Sequence, residues 1–402
     1  MPTSSKPVIE FQDQRVSSMK EYFSSLRNNP HIICFDNAAT TQVPDIVQEA
    51  VQDYHNQHAN PGRGAYEWAE QAEEIVAQTR RKISDLVGLE GTDGIIFTSG
   101  TTMSLNMVVE CWAKYNLKPE DEVLYCDSDH NSMVLPWKKL AAEKSIKLRP
   151  YRLHANGSIN LDDLKSNITE KTKLCCITHI NNTAGWINNI AAIRDILPQE
   201  ALLNLDAAQG ISHIPPNMTK HQIDFLSFSG HKMFALGGIG ALCVSERVMH
   251  HMHPLFYGGG MAEYKESDPF HVKMEAGTLN MAGIVSLNAA YDFIGRTREH
   301  NPMPALSKAL YQRLLENPRI DLLYEQKPYA LDQLSGIATF TIEGLDSGEV
   351  ADILSEQDIF VRAGRHCAGV QDSIRISLQL YNTEDEIHRT CDLLNELSNN
   401  YF

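Results

Sequence analysis

The sequence predicts an α/β protein built on a mostly parallel, doubly wound sheet. Short apolar runs recur at 95–97, 122–126, 174–178, 201–205, 223–228 and 239–244, and stretches with helical spacing separate most of them. Strands alternating with helices over about 200 residues fit parallel crossovers. Most runs also exit into small and polar residues, and the C-terminal ends of strands are where open α/β sheets bind ligands.

At 402 residues the chain exceeds one small core, and two domains are expected. The sequence places a large domain over 31–285 and a small one formed by 1–30 with 286–402. A hydrophobic content of 43% with 21% charged residues is that of a soluble protein. No apolar run is long enough to span a bilayer, and the start MPTSSKPVIEFQDQR has no apolar signal core. The scattered cysteines at 34, 111, 126, 175, 176, 243, 367 and 391 suit a reducing cytoplasm. A net charge of −16 without a basic patch excludes nucleic acid as a partner.

In order, the stretch 16–26 reads as an amphipathic helix and 31–35 as a strand ending in Asp36-Asn37-Ala-Ala-Thr-Thr. A helix from Asp45 is interrupted by Asn60-Pro-Gly-Arg63-Gly; Arg63 there is an anion contact or a solvated loop residue. The strand at 95–97 exits through Ser99-Gly-Thr101-Thr102, and Leu105, Val108, Val109 and Trp112 then mark a helix face. Free N–H groups, hydroxyls and a positive dipole end suit a phosphate; plain N-capping by threonine is the alternative. The stretch lacks both the Walker ending and G-x-G-x-x-G.

The strand at 122–126 leads to Asp129-His130 and a helix with Val134, Leu135 and Trp137. A strand at 146–151 and a helix at 161–168 follow. The strand at 174–178 ends in His179-Ile-Asn181-Asn182, that at 201–205 in Asp206-Ala-Ala-Gln209, and that at 223–228 in Ser229-Gly-His231-Lys232. The C-terminal part reads as a helical region over 283–316, strands at 337–342, 359–361 and 374–378, and a helix at 348–356. Thr383-x-x-Glu386 has the spacing of a capping box for a last helix with Ile387, Cys391 and Leu394 on one face.

One ligand accounts for these strand ends. A lysine delivered by a buried strand loses water, its pKa falls, and its amine becomes available for a Schiff base. Lys232 is that lysine. Thr101 and Thr102 suit a phosphate, Asp206 a protonated pyridine nitrogen and His130 the face of a planar ring. That set describes pyridoxal phosphate, an electron sink.

Asp36-Asn-Ala-Ala-Thr-Thr, Ser99-Gly-Thr-Thr, Asp129-His130, Thr178-His-Ile-Asn-Asn182, Asp206-Ala-Ala-Gln209, Ser229-Gly-His-Lys232, Glu275-Ala-Gly-Thr278 and Arg362-Ala-Gly-Arg-His-Cys367 occur in the order seen in cysteine desulfurases. The chain resembles that family, in the branch with selenocysteine lyase-like enzymes, within the class V aminotransferase group of fold-type I pyridoxal phosphate enzymes. The resemblance covers residues 31 to 395. It implies a large domain with a mostly parallel seven-stranded sheet flanked by helices, a smaller C-terminal α/β domain, and a homodimer with shared active sites.

By that resemblance Lys232 forms the Schiff base, Asp206 pairs with the ring nitrogen, His130 stacks on the ring, and Asn182 and Gln209 contact its oxygen side. Thr101, Thr102, Ser229 and His231 hold the phosphate, with Thr278 reaching it from the other subunit. Arg375 grips the substrate carboxylate, with Arg63, Arg362 and Asn37 nearby. Cys367, beside Arg365 and His366, is the nucleophilic thiolate. It takes sulfur, or selenium, from an L-cysteine-type amino acid as a persulfide and releases alanine, and a sulfur-acceptor protein is an implied partner.

The alternative is another class V reaction, a C–S lyase, epimerase or aminotransferase, with Cys367 a bystander. The segment from Cys367 to Arg375 is shorter than the branch usually carries, 260–275 is trimmed, and Tyr66 and Asn131 stand where relatives often have histidine. No metal is expected: His250-His251-Met252-His253 lacks carboxylate or cysteine partners at ligand spacing.

Overall fold

The computed structural model describes residues 18–62, 64–261, 265, 267–325, 328–366 and 371–400. Its strands begin with β1 (Ile33–Cys34), β2 (Ile95–Thr98), β3 (Glu122–Tyr125), β4 (Lys147–Pro150) and β5 (Thr172–Thr178). They continue with β6 (Leu202–Asp206), β7 (Phe225–Ser229), β8 (Gly240–Val244) and β9 (Ile320–Leu322). The last are β10 (Ile337–Ile342), β11 (Ile359–Phe360), β12 (Arg362–Gly364) and β13 (Ser373–Ser377).

Seven of these form one sheet in the order β2-β8-β7-β6-β5-β3-β4. β8 runs antiparallel to both neighbours, and the remaining pairs are parallel. The expected mostly parallel, seven-stranded sheet is therefore present. Every residue of β2, β3, β6, β7 and β8 is buried, as a sheet covered on both faces requires.

Alternation along the strands divides the core in two. Phe97, Ile177, Leu205, Leu226 and Phe228 face helices Asp45–Asn56, Glu67–Val87 and Met281–Thr297. Ile96, Val123, Leu174, Leu202 and Phe225 face Thr101–Met107 with its π-type continuation Val108–Ala113, and Asn131–Lys144. Leu105, Val108, Val109 and Trp112 are all buried there.

The second unit is an antiparallel sheet, β12-β13-β10-β9, sharing one apolar cluster with helices Met303–Leu315, Ser347–Glu356 and Glu384–Asn400. The capping box forms reciprocally: Thr383 N donates to Glu386 Oε2 at 3.1 Å, and Glu386 N donates to Thr383 Oγ1 at 3.3 Å. Ile387, Cys391 and Leu394 are buried behind it.

Three local expectations change. The helix expected over 16–26 is, from residue 18 on, two short turns, Met19–Tyr22 and Ser24–Arg27. Extended Phe23 between them is fully buried, edge-on to Phe293 and Tyr381; seating that ring breaks the helix. The region 283–316 is two helices, parted at Asn301-Pro302, since the residue before proline is driven out of helical geometry. The strand expected at 31–35 is only two residues long, Ile33–Cys34, and pairs with β11.

β2 lies at the sheet edge, and its Phe97 N donates to Glu275 Oε1 at 2.6 Å. The same carboxylate takes both Nη groups of Arg80, and that guanidinium lies 4.4 Å from the centre of the Phe97 ring. Both ionic side chains are buried. Glu275→Ala leaves a buried guanidinium and an edge N–H unmatched and is expected to cost about 3–5 kcal/mol. Denaturant unfolding checks this, with Glu275→Gln expected to lose less.

Candidate active site

The register of the parallel strands builds the floor of the site. Thr178, Asp206 and Ser227 are paired side by side on β5, β6 and β7. Paired residues point to the same sheet face, and Ser229 lies two residues farther along β7. Above them opens a cavity of about 330 Å³. Thr101, Thr102, His130, Asn182, Asp206, Gln209, Ser229, His231, Lys232, Arg362 and Arg375 line it. Residues expected from separate strand ends thus converge.

At one end, Gly100 adopts φ +142°, where glycine is favoured, and a Cβ there would come within 2.9 Å of Ser229 Oγ. That hydroxyl accepts from Thr101 N at 2.8 Å and pairs with Thr101 Oγ1 at 2.8 Å. The end of β7 is so tied to the first turn of a helix, and the exposed Thr102 stands beside it. Thr41 N and the hydroxyls of Thr40 and Thr41 hold the His231 carbonyl, fixing the turn Gly230–Lys232. Burial, and then Lys232, lowers the His231 pKa.

At the floor, Asp206 is 5% exposed and accepts from Ala208 N at 2.9 Å. Burial raises its pKa, opposed by the Ala208 N–H, Lys232 and His130. Asp129 is buried, and burial, opposed by the Thr178 hydroxyl and aided by Asp206, pushes its carboxyl up to about 7. His130 caps helix Asn131–Lys144. Its Nδ1 accepts from Ser132 N at 3.2 Å and lies 2.5 Å from Ser132 Oγ, so its capping bond fixes the ring. Burial lowers its pKa, aided by Lys232 and Arg375 and opposed by Asp206.

At the other end, Arg375 on β13 is buried. It donates to the Asn182 carbonyl at 3.2 Å and to Asp36 Oδ1 at 3.4 Å. Arg362 pairs with both oxygens of Asp36. His366 lies 3.1 Å from the Ser373 carbonyl, and burial, then Arg375, lowers its pKa to about 4. Gln209 Nε2 donates to the Ala38 carbonyl at 2.8 Å.

Asn37, expected at the substrate, is instead a buried clasp. Its amide donates to the carbonyls of Cys34 and Ser377 and to Asn382 Oδ1, and it accepts from Tyr381 OH. Thr278 is exposed and does not line the cavity of its own chain. Arg63 and Cys367 lie outside the described residues. Asp36 and Asp129 carry no role in the sequence analysis; the signal for both was an acid just past a strand end.

The donor set fits pyridoxal phosphate. It offers an amine at Lys232, a buried carboxylate at Asp206, a fixed ring at His130 and a hydroxyl cradle on a helix start. Thr178, beside Asp129 on the floor, adds a hydroxyl to the lining of the cavity.

Asp129 gives a test of this electrostatic picture. The folded chain keeps a proton there that the unfolded chain gives up at lower pH, so its contribution to stability falls as pH rises through about 4 to 7. Asp129→Asn removes that loss. Its gain over the wild type in urea unfolding of the cofactor-free protein should grow from near zero at acid pH to about 2–4 kcal/mol above pH 7. A difference independent of pH would count against it.

Comparison with known proteins agrees with this geometry. The model of the aminotransferase class-V family matches residues 33–390. A protein described as a probable cysteine desulfurase from Synechocystis sp. (strain ATCC 27184 / PCC 6803 / Kazusa) is 33% identical, over 90% of this chain and 89% of its own. The apo structure of a cysteine desulfurase from Thermococcus onnurineus NA1 superposes with a TM-score of 0.89 at 29% identity, covering 96% of this chain and 99% of that one. A cysteine desulfurase from Escherichia coli, solved in an S-sulfonic acid form, gives 0.83 at 27% identity, covering 94% and 96%. The chain therefore belongs to the class-V aminotransferase family.

Proposed function

We propose that this protein is a pyridoxal phosphate-dependent cysteine desulfurase, taking sulfur from L-cysteine and releasing alanine. The convergence of Lys232, Asp206, His130 and Arg375 on one cavity carries the reading. Bound there, pyridoxal phosphate supplies an electron sink for charge developing on the substrate carbon. Lys232 Nζ would hold the aldehyde carbon of the cofactor, and its amine would take the proton from the substrate Cα. Asp206 holds the proton of the ring nitrogen, and His130 covers the ring. Thr101, Thr102, Ser229 and His231 hold the phosphate, and Asn182 and Gln209 border the ring oxygen. Arg375 holds the substrate carboxylate, its planar fork matching that group, with Arg362 and Arg63 adding positive charge.

The Cys367 thiolate then attacks the substrate sulfur. An S–S bond forms as the Cβ–S bond breaks, and the electron pair of that bond stays with the carbon skeleton. Protonation of that skeleton yields alanine, and the sulfur remains as a persulfide for a thiol acceptor. Arg365 lies two residues before Cys367, and a cationic neighbour favours thiolate.

A homodimer is part of this reading. Thr278 is exposed on its loop, as a residue serving a second copy would be. Tyr66, Trp68, Phe256 and Tyr257 expose 46–78% of their surface, apolar area that a second copy could cover. Among the described residues no helix is long and apolar enough to cross a membrane, in keeping with a cytoplasmic enzyme.

Cys367→Ala should abolish persulfide and alanine formation from L-cysteine while the absorption band of the lysine-bound cofactor persists. Wild-type protein yielding neither product would overturn the reading, and a variant still releasing alanine would move the chemistry away from Cys367. Light scattering should return twice the 45.1 kDa chain mass; a monomer would remove the shared site.

A further inference from the structure

Asp36 stands behind the substrate end and joins its two arginines. Oδ1 lies 3.1 Å from Arg362 Nε and 3.4 Å from Arg375 Nη2, and Oδ2 lies 3.3 Å from Arg362 Nη2. Its position is set by backbone as well as by charge. Asp36 bridges to Ser377, two residues along β13 from Arg375. The next residue, Asn37, is clasped by Cys34, Ser377, Tyr381 and Asn382. The backbone bridge and the neighbouring clasp hold the main chain from which the carboxylate reaches both arginines.

We propose that Asp36 is a specificity-determining residue that sets the substrate end to accept one carboxylate and to refuse amino acids with a second anionic group. The proposal rests on the reading of Arg375 as the carboxylate anchor. Within this described trio, two guanidinium charges less one carboxylate leave a single positive charge, which one incoming carboxylate neutralises. A second anionic group would then face Asp36 across a partly desolvated space, where like charges repel more strongly than in water. Nearby groups do not reverse this. His366 is neutral at ordinary pH, its pKa lowered by burial and Arg375. Arg365 is 78% exposed and pairs with Asp372 at 3.4 Å.

The test measures binding of two unreactive probes, propionate and succinate, to the cofactor-loaded protein by calorimetry. Asp36→Asn keeps the shape of the side chain and removes its charge. It should tighten succinate about tenfold while changing propionate by less than about threefold. Arg362→Gln, which removes a cation from the same trio, should shift the ratio the other way and serves if Asp36→Asn does not fold. Arg375→Gln should lose both probes. If it still binds propionate, the anchor reading fails and the proposal with it. If it loses propionate while Asp36→Asn leaves succinate unchanged, or weakens both probes alike, the proposal alone is overturned.

Discussion

The site depends on the parallel pairing of β5, β6 and β7. Strands that run together end together, and with Thr178, Asp206 and Ser227 in register their side chains meet above one sheet face. The antiparallel return of β8 closes the geometry. A Cβ on Gly240 would sit 2.3 Å from the Phe228 carbonyl and 2.7 Å from Gly100 Cα, so glycine lets the ends of β7, β8 and β2 draw close. That approach lets Ser229 reach Thr101 and makes a strand end and a helix start into one cradle.

The same arrangement opposes stability. On this face Asn204, one rung below Asp206, and Ser227, beside it, are fully buried, with Asn204 Oδ1 and Ser227 Oγ unpartnered, and Asp129 adds a buried carboxyl. Polar groups withdrawn from water without full replacement cost about 1–3 kcal/mol each. The apolar rows farther down, from Leu174 to Val244, offset that cost. This is why the polar positions occupy the last rungs while deeper ones are Leu, Val and Phe: the sheet is a stable base carrying an electrostatically unfavourable top.

What was legible in the sequence follows this division. Strands buried on both faces write themselves as apolar runs, and their exits are marked by small and polar residues, so Lys232, Asp206, His130 and Thr101 could be named one by one. The capping box was legible because its logic is local. The pairing of β1 with β11 was not, because two-residue strands carry no period and their partners lie more than 300 residues apart. Asn37 was misplaced for a related reason: a motif shows that a residue matters but not which way its amide faces. The break at Phe23 came from tertiary packing against Phe293 and Tyr381, which no helical periodicity encodes.

The two units meet along the segment that carries Asn182, and this links the two ends of the cavity. The smaller unit grips that segment repeatedly: Thr339 Oγ1 donates to the Thr183 carbonyl at 2.7 Å, Tyr311 OH to the Ala184 carbonyl at 3.3 Å, and Arg375 to that of Asn182. At Gly185 a Cβ would lie 2.3 Å from the Ile337 carbonyl, so the backbones touch. Arg375 thus sits on one unit while bonded to a loop of the other, and Asp36 holds it from a third direction. A shift of the smaller unit would move Arg375 relative to Lys232, because each is carried by its own sheet. On the proposed reading, docking of the two units is therefore the geometric condition for a substrate carboxylate and the lysine amine to face one another.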